Sequence, residues 1–272
     1  MIRIDGAYLY NLGSRIKPIV EMSSTEENEE IRYLIFLAEN SMKSLLQTQV
    51  FNLRTCVSSG RAFLTALEHA SKKLSAEGAK LSSMDIWRLK QAGEKFENVL
   101  TSELGTTDLY YVVPKGSHRT VDLIEDGRAA FPDDLSDKVP KAVFDVQEAT
   151  RCLAYERYTA CGFHLHRANE AVLRIYWDVV TKGATRPKQE NMGVYLSELK
   201  RRKKGSAKIR NILTEIKDMH RNPIIHPEHT LDQKDAMALM GVIHASITYM
   251  LKEIPAPPKN AMAKALAAGS PP

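Results

Sequence analysis

The chain is poor in cysteine: Cys56, Cys152 and Cys161 are odd in number and show no C-x-x-C spacing. That argues against a disulfide framework and more strongly against a thiolate metal cage, leaving three reduced thiols. It also lacks any uninterrupted apolar run near the roughly 18 residues a spanning helix needs, and "MIRIDGAYLYNLG" has neither the basic flank nor the apolar stretch of a signal peptide. The expectation is a cytoplasmic protein with no membrane partner. Glycine-rich phosphate loops, G-x-S-x-G elbows and H-E-x-x-H are absent, so familiar nucleotide, serine-hydrolase and zinc chemistries have no anchor.

What is there is a 272-residue chain, 43% hydrophobic, long enough for one large domain or two modest ones. Its net charge of +5 is unevenly spread, about −3 over residues 1–140 and about +8 over 141–272. A polyanion would therefore prefer the C-terminal half. Helical spacing of apolar residues dominates. After a start of extended character, helices are expected from Thr25 onward and over 58–76 and 83–103, the last with Ser82 and Asp85 near its start. "LYYVV" is β-rich, and the Pro, Gly and Asp punctuation around it marks a break. From Pro140, helices are expected over 141–156, 158–182, 192–203, 206–220 and 231–253.

The fold class is thus mainly α. A helical N-terminal region (1–105), for dimerisation or partner docking, is joined by a short β-like connection (106–139) to a helical domain (140–254). A proline-rich tail (255–272) carries five of the twelve prolines and reads as disordered.

The ten residues "HRNPIIHPEH", 220–229, crowd one arginine, three histidines and two prolines between two helices. Asn222 before Pro223 reads as an N-cap and first helical position, and Thr230 with Gln233 as a capping box for the last helix. Arg221 supplies a permanent fork of donors suited to phosphate, and His226 can take or give a proton near neutral pH. Together they suit RNA cleavage without metal or other cofactor. The ribose 2′-hydroxyl is the nucleophile, His226 moves its proton or the leaving group's, and Arg221 steadies charge on phosphorus. The plain alternative has Arg221 on the carbonyls of the preceding helix and His226 in a polar niche.

"RNPIIH" fits the pattern Arg, then Asn, Asp or His, then three residues, then His, which is the hallmark of the HEPN superfamily of four-to-five-helix domains. Its place before the last long helix resembles that family too. So does "RYTACGFHLHRANEAVLRIYWDVV", which is similar to the second helix of HEPN-like bacterial proteins of uncharacterised branches. The resemblance covers about residues 140–253 and implies a metal-independent endoribonuclease, a hydrolase of toxin–antitoxin or phage-defence systems that pairs two motifs in a homodimer. Carried over, Arg221 and His226 are the catalytic pair and Asn222 the accompanying polar position. An antitoxin or another defence-system protein is the implied partner. Glu228 stands where HEPN toxins silenced by a nucleotidyltransferase carry tyrosine, which argues against that mode of control. Some members bind without cutting, so the alternative is a non-catalytic module that binds nucleotide or RNA or scaffolds a defence complex.

On helix 158–182, Arg167 and Glu170 are three apart and Arg174 lies four beyond Glu170. They either project toward the pair and orient it, Glu170 foremost, or form a surface ion-pair ladder. His164 and His166 point about 200° apart on a helix, so "CGFHLH" does not close on one ion. "KRRKKGSAKIR" packs seven basic residues into eleven, and Arg201, Arg202, Lys203, Lys204 and Lys208 are the candidates for RNA phosphates. Trp87 and Trp177 lie on apolar helical faces and read as core.

Overall fold

The structure, a computed structural model, describes residues 6–22, 28–48, 53–76, 79–221, 226 and 228–256. Asn222, Pro223, Thr25 and most of the proline-rich tail lie outside the described residues. The chain divides into two compact units, Met1–Tyr110 and Tyr111–Pro272. Both are helical, and no strand or sheet occurs among the described residues.

The N-terminal unit consists of α1 (Gly6–Glu21), α2 (Asn28–Thr48), α3 (Cys56–Leu74) and α4 (Ser83–Gly105). Each packs on the next and α1 also packs on α4, which closes the bundle. Its first element corrects the extended reading of the N-terminus. Leu12, Ile16 and Ile19 recur at helical spacing and bury one face, and that burial outweighs the β-leaning composition of the segment. Phe63 of α3 stacks on Phe96 of α4 at 5.9 Å. Ser82 and Asp85 form a capping box at the start of α4.

α3 has no such local cap: the Thr55 side chain bonds nothing at its N-terminus. Instead Glu103, near the end of α4, accepts the backbone N–H groups of Arg54, Thr55 and Cys56 at 2.6, 2.9 and 2.8 Å. These are donors that a helix start leaves without intrahelical partners, and a carboxylate there also meets the positive end of the helix dipole. The bonds to Arg54 and Thr55 lead in pulling the Glu103 carboxyl down to about 2. Glu103→Ala is expected to lower the stability of this unit by about 1 kcal/mol, the usual cost of a lost cap. Because the folded pKa is depressed, the contribution is present above about pH 4.5 and lost as pH falls toward 2. Acid titration of unfolding, wild type against variant, checks both.

The C-terminal unit runs through α5 (Thr120–Glu125), a 3-10 turn (Gly127–Ala130), α6 (Leu135–Lys138), α7 (Pro140–Ala154), α8 (Tyr158–Val180), α9 (Met192–Arg201), α10 (Ala207–Glu215) and α11 (Gln233–Glu253). α8 is central: α7, α11 and α9 all pack on it through Leu165, Val172, Leu173 and Trp177. Leu123, Phe131 and Leu135 join this same core. "LYYVV" therefore makes no β connection. It has no second strand to join, Tyr110 and Tyr111 are exposed, and the nearest ladder is one isolated bridge between Lys115 and His118. A second correction concerns α11, which Asp232 caps with Asp235 returning the bond, while Thr230 lies outside the helix and exposed. A third concerns the tryptophans. Trp177 is fully buried, but Trp87 is 58% exposed.

α10 starts as expected at the Gly-Ser break. Gly205 holds φ +68° and Ser206 caps the helix. The Tyr176 hydroxyl bridges the joint, accepting the Ser206 N–H at 3.0 Å and donating to Glu253 at 2.9 Å. A Cβ on Gly205 would stand 2.6 Å from that hydroxyl. Gly205→Ala combines left-handed backbone with this clash and is expected to cost about 2 kcal/mol, read as a lower unfolding midpoint.

Candidate functional site

α10 does not simply stop. Its last turn widens into a π-helical turn, Ile216–Arg221, with Ile216 buried and His220 and Arg221 closing it. Such wide turns are strained and concentrate at functional sites. The Arg221 guanidinium sits at the C-terminal end of the helix, where its dipole favours positive charge. Arg221 thus arrives at the junction half-buried, and its Nε donates to Glu170 Oε1 of α8 at 3.0 Å. Among the described residues no other side chain pairs with the guanidinium, and Glu170 is the residue of α8 that meets it.

His226 occupies an exposed bend, its carbonyl accepting the His229 N–H at 3.1 Å. Asn222 lies outside the described residues. Arg167 does not join the Glu170–Arg221 pair. Its Nε meets Asp145 of α7 at 3.0 Å, and the side chain is 65% exposed. Arg174 turns to Glu190, Nε to Oε2 at 3.1 Å. The ladder that spacing allowed within α8 is therefore not formed, because carboxylates from other segments outcompete the i, i+3 and i, i+4 neighbours. His164 also bonds Asp145, Nδ1 to Oδ1 at 2.8 Å.

In the basic run, Arg201 and Arg202 share Glu198. Arg202 lies over Trp177, and Lys208 lies over Tyr249 at 3.7 Å. Lys203 and Lys204 are exposed and make no ion pair among the described residues. The five candidates are brought to one surface segment, but only two offer uncommitted charge.

Two buried polar residues escaped the sequence reading. His166 is 5% exposed with no hydrogen bond at either ring nitrogen, and Asn169, one turn on, is fully buried with both amide atoms unpartnered. Burial pushes the His166 imidazole down to about 4, and the positive charges of Arg221 and then His220 push the same way. It is therefore neutral near pH 7, a desolvated uncharged ring beside a cation. The signal was present in the heptad-like stripe Cys161, Leu165, Ala168, Val172 and Tyr176 of α8, among which residues 166 and 169 fall. Buried polar atoms usually find partners, so this stripe is costly where it stands.

Among the described residues no group of three His, Cys, Asp or Glu side chains is placed to share a metal ion, and no helix is long and apolar enough to cross a membrane. No family model, no curated protein and no solved structure matches the chain.

Proposed function

We propose that the protein is a metal-independent endoribonuclease of the HEPN type, working as a cytoplasmic homodimer in a toxin or phage-defence system. The observation that carries this reading is the Glu170–Arg221 bond. A carboxylate from the neighbouring helix holds the guanidinium side-on, so its terminal nitrogens are set for two oxygens of one phosphate. His226 stands five residues on, at an exposed bend open to substrate. In the reaction the 2′-oxygen attacks phosphorus while the bond to the 5′-oxygen breaks. One His226 accepts the 2′-proton, and a second, from the other protomer, protonates the departing 5′-oxygen. The products are a 2′,3′-cyclic phosphate and a 5′-hydroxyl. Control rests with an antitoxin or another defence protein that covers the site, since Glu228 removes the tyrosine a modifying antitoxin would use.

Cleavage of a mixed RNA pool in EDTA, with end-group analysis of the fragments, tests the reading. Chelator-resistant fragments ending in cyclic phosphate support it. Tight RNA binding with no cleavage under any condition would instead favour a module that grips phosphate through the matched Arg221–Glu170 pair without cutting.

A further inference from the structure

Beside the Glu170–Arg221 pair a cleft of about 800 Å³ opens between the start of α7, α8 and the segment before α9. Five basic side chains line it against three carboxylates. Glu170 belongs both to its wall and to the Arg221 contact. We infer that this cleft, rather than the basic run at 200–210, is the track along which single-stranded RNA reaches Arg221, an inference that rests on the endoribonuclease reading.

Three features point to a nucleic-acid strand. First, Arg167 and Arg174 each place Nε within ion-pair distance of a carboxylate, Asp145 at 3.0 Å and Glu190 at 3.1 Å, and Arg174 also donates one terminal nitrogen to the Glu190 carbonyl at 3.4 Å, so at least one terminal nitrogen of each is unengaged among the described residues. An arginine held this way is oriented before a phosphate arrives, which lowers the ordering cost of binding. The Arg174–Glu190 pair is partly exposed on both sides, which leaves it open to competition from a phosphate, while Asp145 is buried and keeps His164 as a partner if Arg167 turns to phosphate. Second, Lys141 at the start of α7 is exposed and makes no ion pair among the described residues. Third, Phe144 and Phe163 stand 62% and 44% exposed, Phe144 three residues from Lys141 and Phe163 four from Arg167. Neighbours at those spacings share a helix face, so each ring flanks a cation of the cleft wall without lining the cleft itself, and Phe144 also meets the His164 ring edge-on at 6.4 Å. Alternation of rings and cations is what a single strand needs, stacking for bases and charge for phosphates. In the run at 200–210, Arg201 and Arg202 are likewise paired, with Glu198, and Lys208 lies over Tyr249; what sets the cleft apart is that Glu170 joins its wall to Arg221.

The test measures binding of a fluorescein-labelled oligouridylate to the full-length His226→Ala chain by anisotropy, across a range of salt. Adding Lys141→Ala, Arg167→Ala and Arg174→Ala is expected to weaken binding at least tenfold. It should also flatten the dependence of log K on log salt by about 2, three lost contacts at about 0.7 each. Arg167→Lys with Arg174→Lys keeps most of that slope. Phe144→Ala with Phe163→Ala weakens binding about tenfold with the slope unchanged, as loss of stacking requires. Cleft variants that bind like their parent, while Arg201→Ala, Arg202→Ala and Lys208→Ala lose affinity, overturn the cleft and leave the endoribonuclease reading intact. A change in sedimentation with no change in RNA affinity overturns it in favour of self-association at this face. Uridine monophosphate competing as well as the oligomer overturns it in favour of a mononucleotide pocket. A His226→Ala chain that binds no RNA fails the cleft and the endoribonuclease reading together.

Discussion

Cleavage of RNA by the His226→Ala protein is expected to fall by a factor on the order of 10² to 10⁴, the contribution of a positioned proton donor or acceptor. Arg221→Ala is expected to cost on the order of 10² to 10³, the range for a single group stabilising developing anionic charge. Arg221→Lys should recover little of this. The Glu170 contact is made at Nε, and a lysine has neither that nitrogen nor the planar fork beyond it. Glu170→Gln keeps an oxygen for Nε and should fall less than Glu170→Ala, which frees the guanidinium to wander; this difference is the mark of a positioning residue. Single-turnover cleavage at saturating enzyme, alongside RNA binding by each variant, separates lost chemistry from lost affinity. Wild-type activity in His226→Ala would sink the assignment.

Acidifying the protein from pH 7 to 5 is expected to cost the C-terminal unit about 2 kcal/mol through His166 alone. In the unfolded chain this histidine titrates near 6.5, and in the fold it is pushed down to about 4, first by burial and then by Arg221 and His220. Below about pH 6.5 the unfolded chain therefore takes up a proton that the folded chain refuses. Stability is complete above that pH, falls by about 1.4 kcal/mol per unit, and levels near pH 4 after a total of about 3 kcal/mol. His166→Leu should abolish the slope, and it also removes two unpartnered buried nitrogens, so its stability at pH 7 should hold while its advantage grows in acid. Arg221→Ala should narrow the pH window over which stability is lost and so reduce the total loss, since its charge is the second cause of the lowered value. Urea unfolding followed by Trp177 fluorescence in a Trp87→Phe background reads this unit, because Trp87 belongs to the other. Identical slopes with and without His166 would refute the account. The N-terminal unit should respond later, through Glu103, only below about pH 4.5.

Much of the architecture was legible because apolar spacing and local caps are written in adjacent residues. Ser82 with Asp85 and Gly205 before Ser206 marked helix starts that the structure reproduces. What was not legible depends on partners distant in sequence. α1 is helical because its buried face packs on α2 and α4, and the spacing of Leu12, Ile16 and Ile19 is too short a stripe to overrule the β-leaning composition without those partners. Arg167 was expected near Glu170, its neighbour on α8, but Asp145 arrives from α7 with a better-placed oxygen. The exposure of the 200–210 run could be read from its charges, and the pairing of Glu198 with Arg201 and Arg202 lies at the i, i+3 and i, i+4 spacings a helix offers. Residues 166 and 169 could have been found by plotting α8 as a helix, since two polar side chains interrupt its apolar stripe. The π-helical widening before Arg221 has no local signature, yet it sets where that guanidinium points.

The clasp that Glu103 places on α3 has a meaning in time as well as in space. Its acceptor is made 47 to 49 residues after the donors it serves. As the chain emerges from the ribosome, α3 is complete in sequence long before its first turn has a partner, and α4 must be synthesised almost to its end before the joint can close. The start of α3 therefore gains its cap only when the end of α4 is in place.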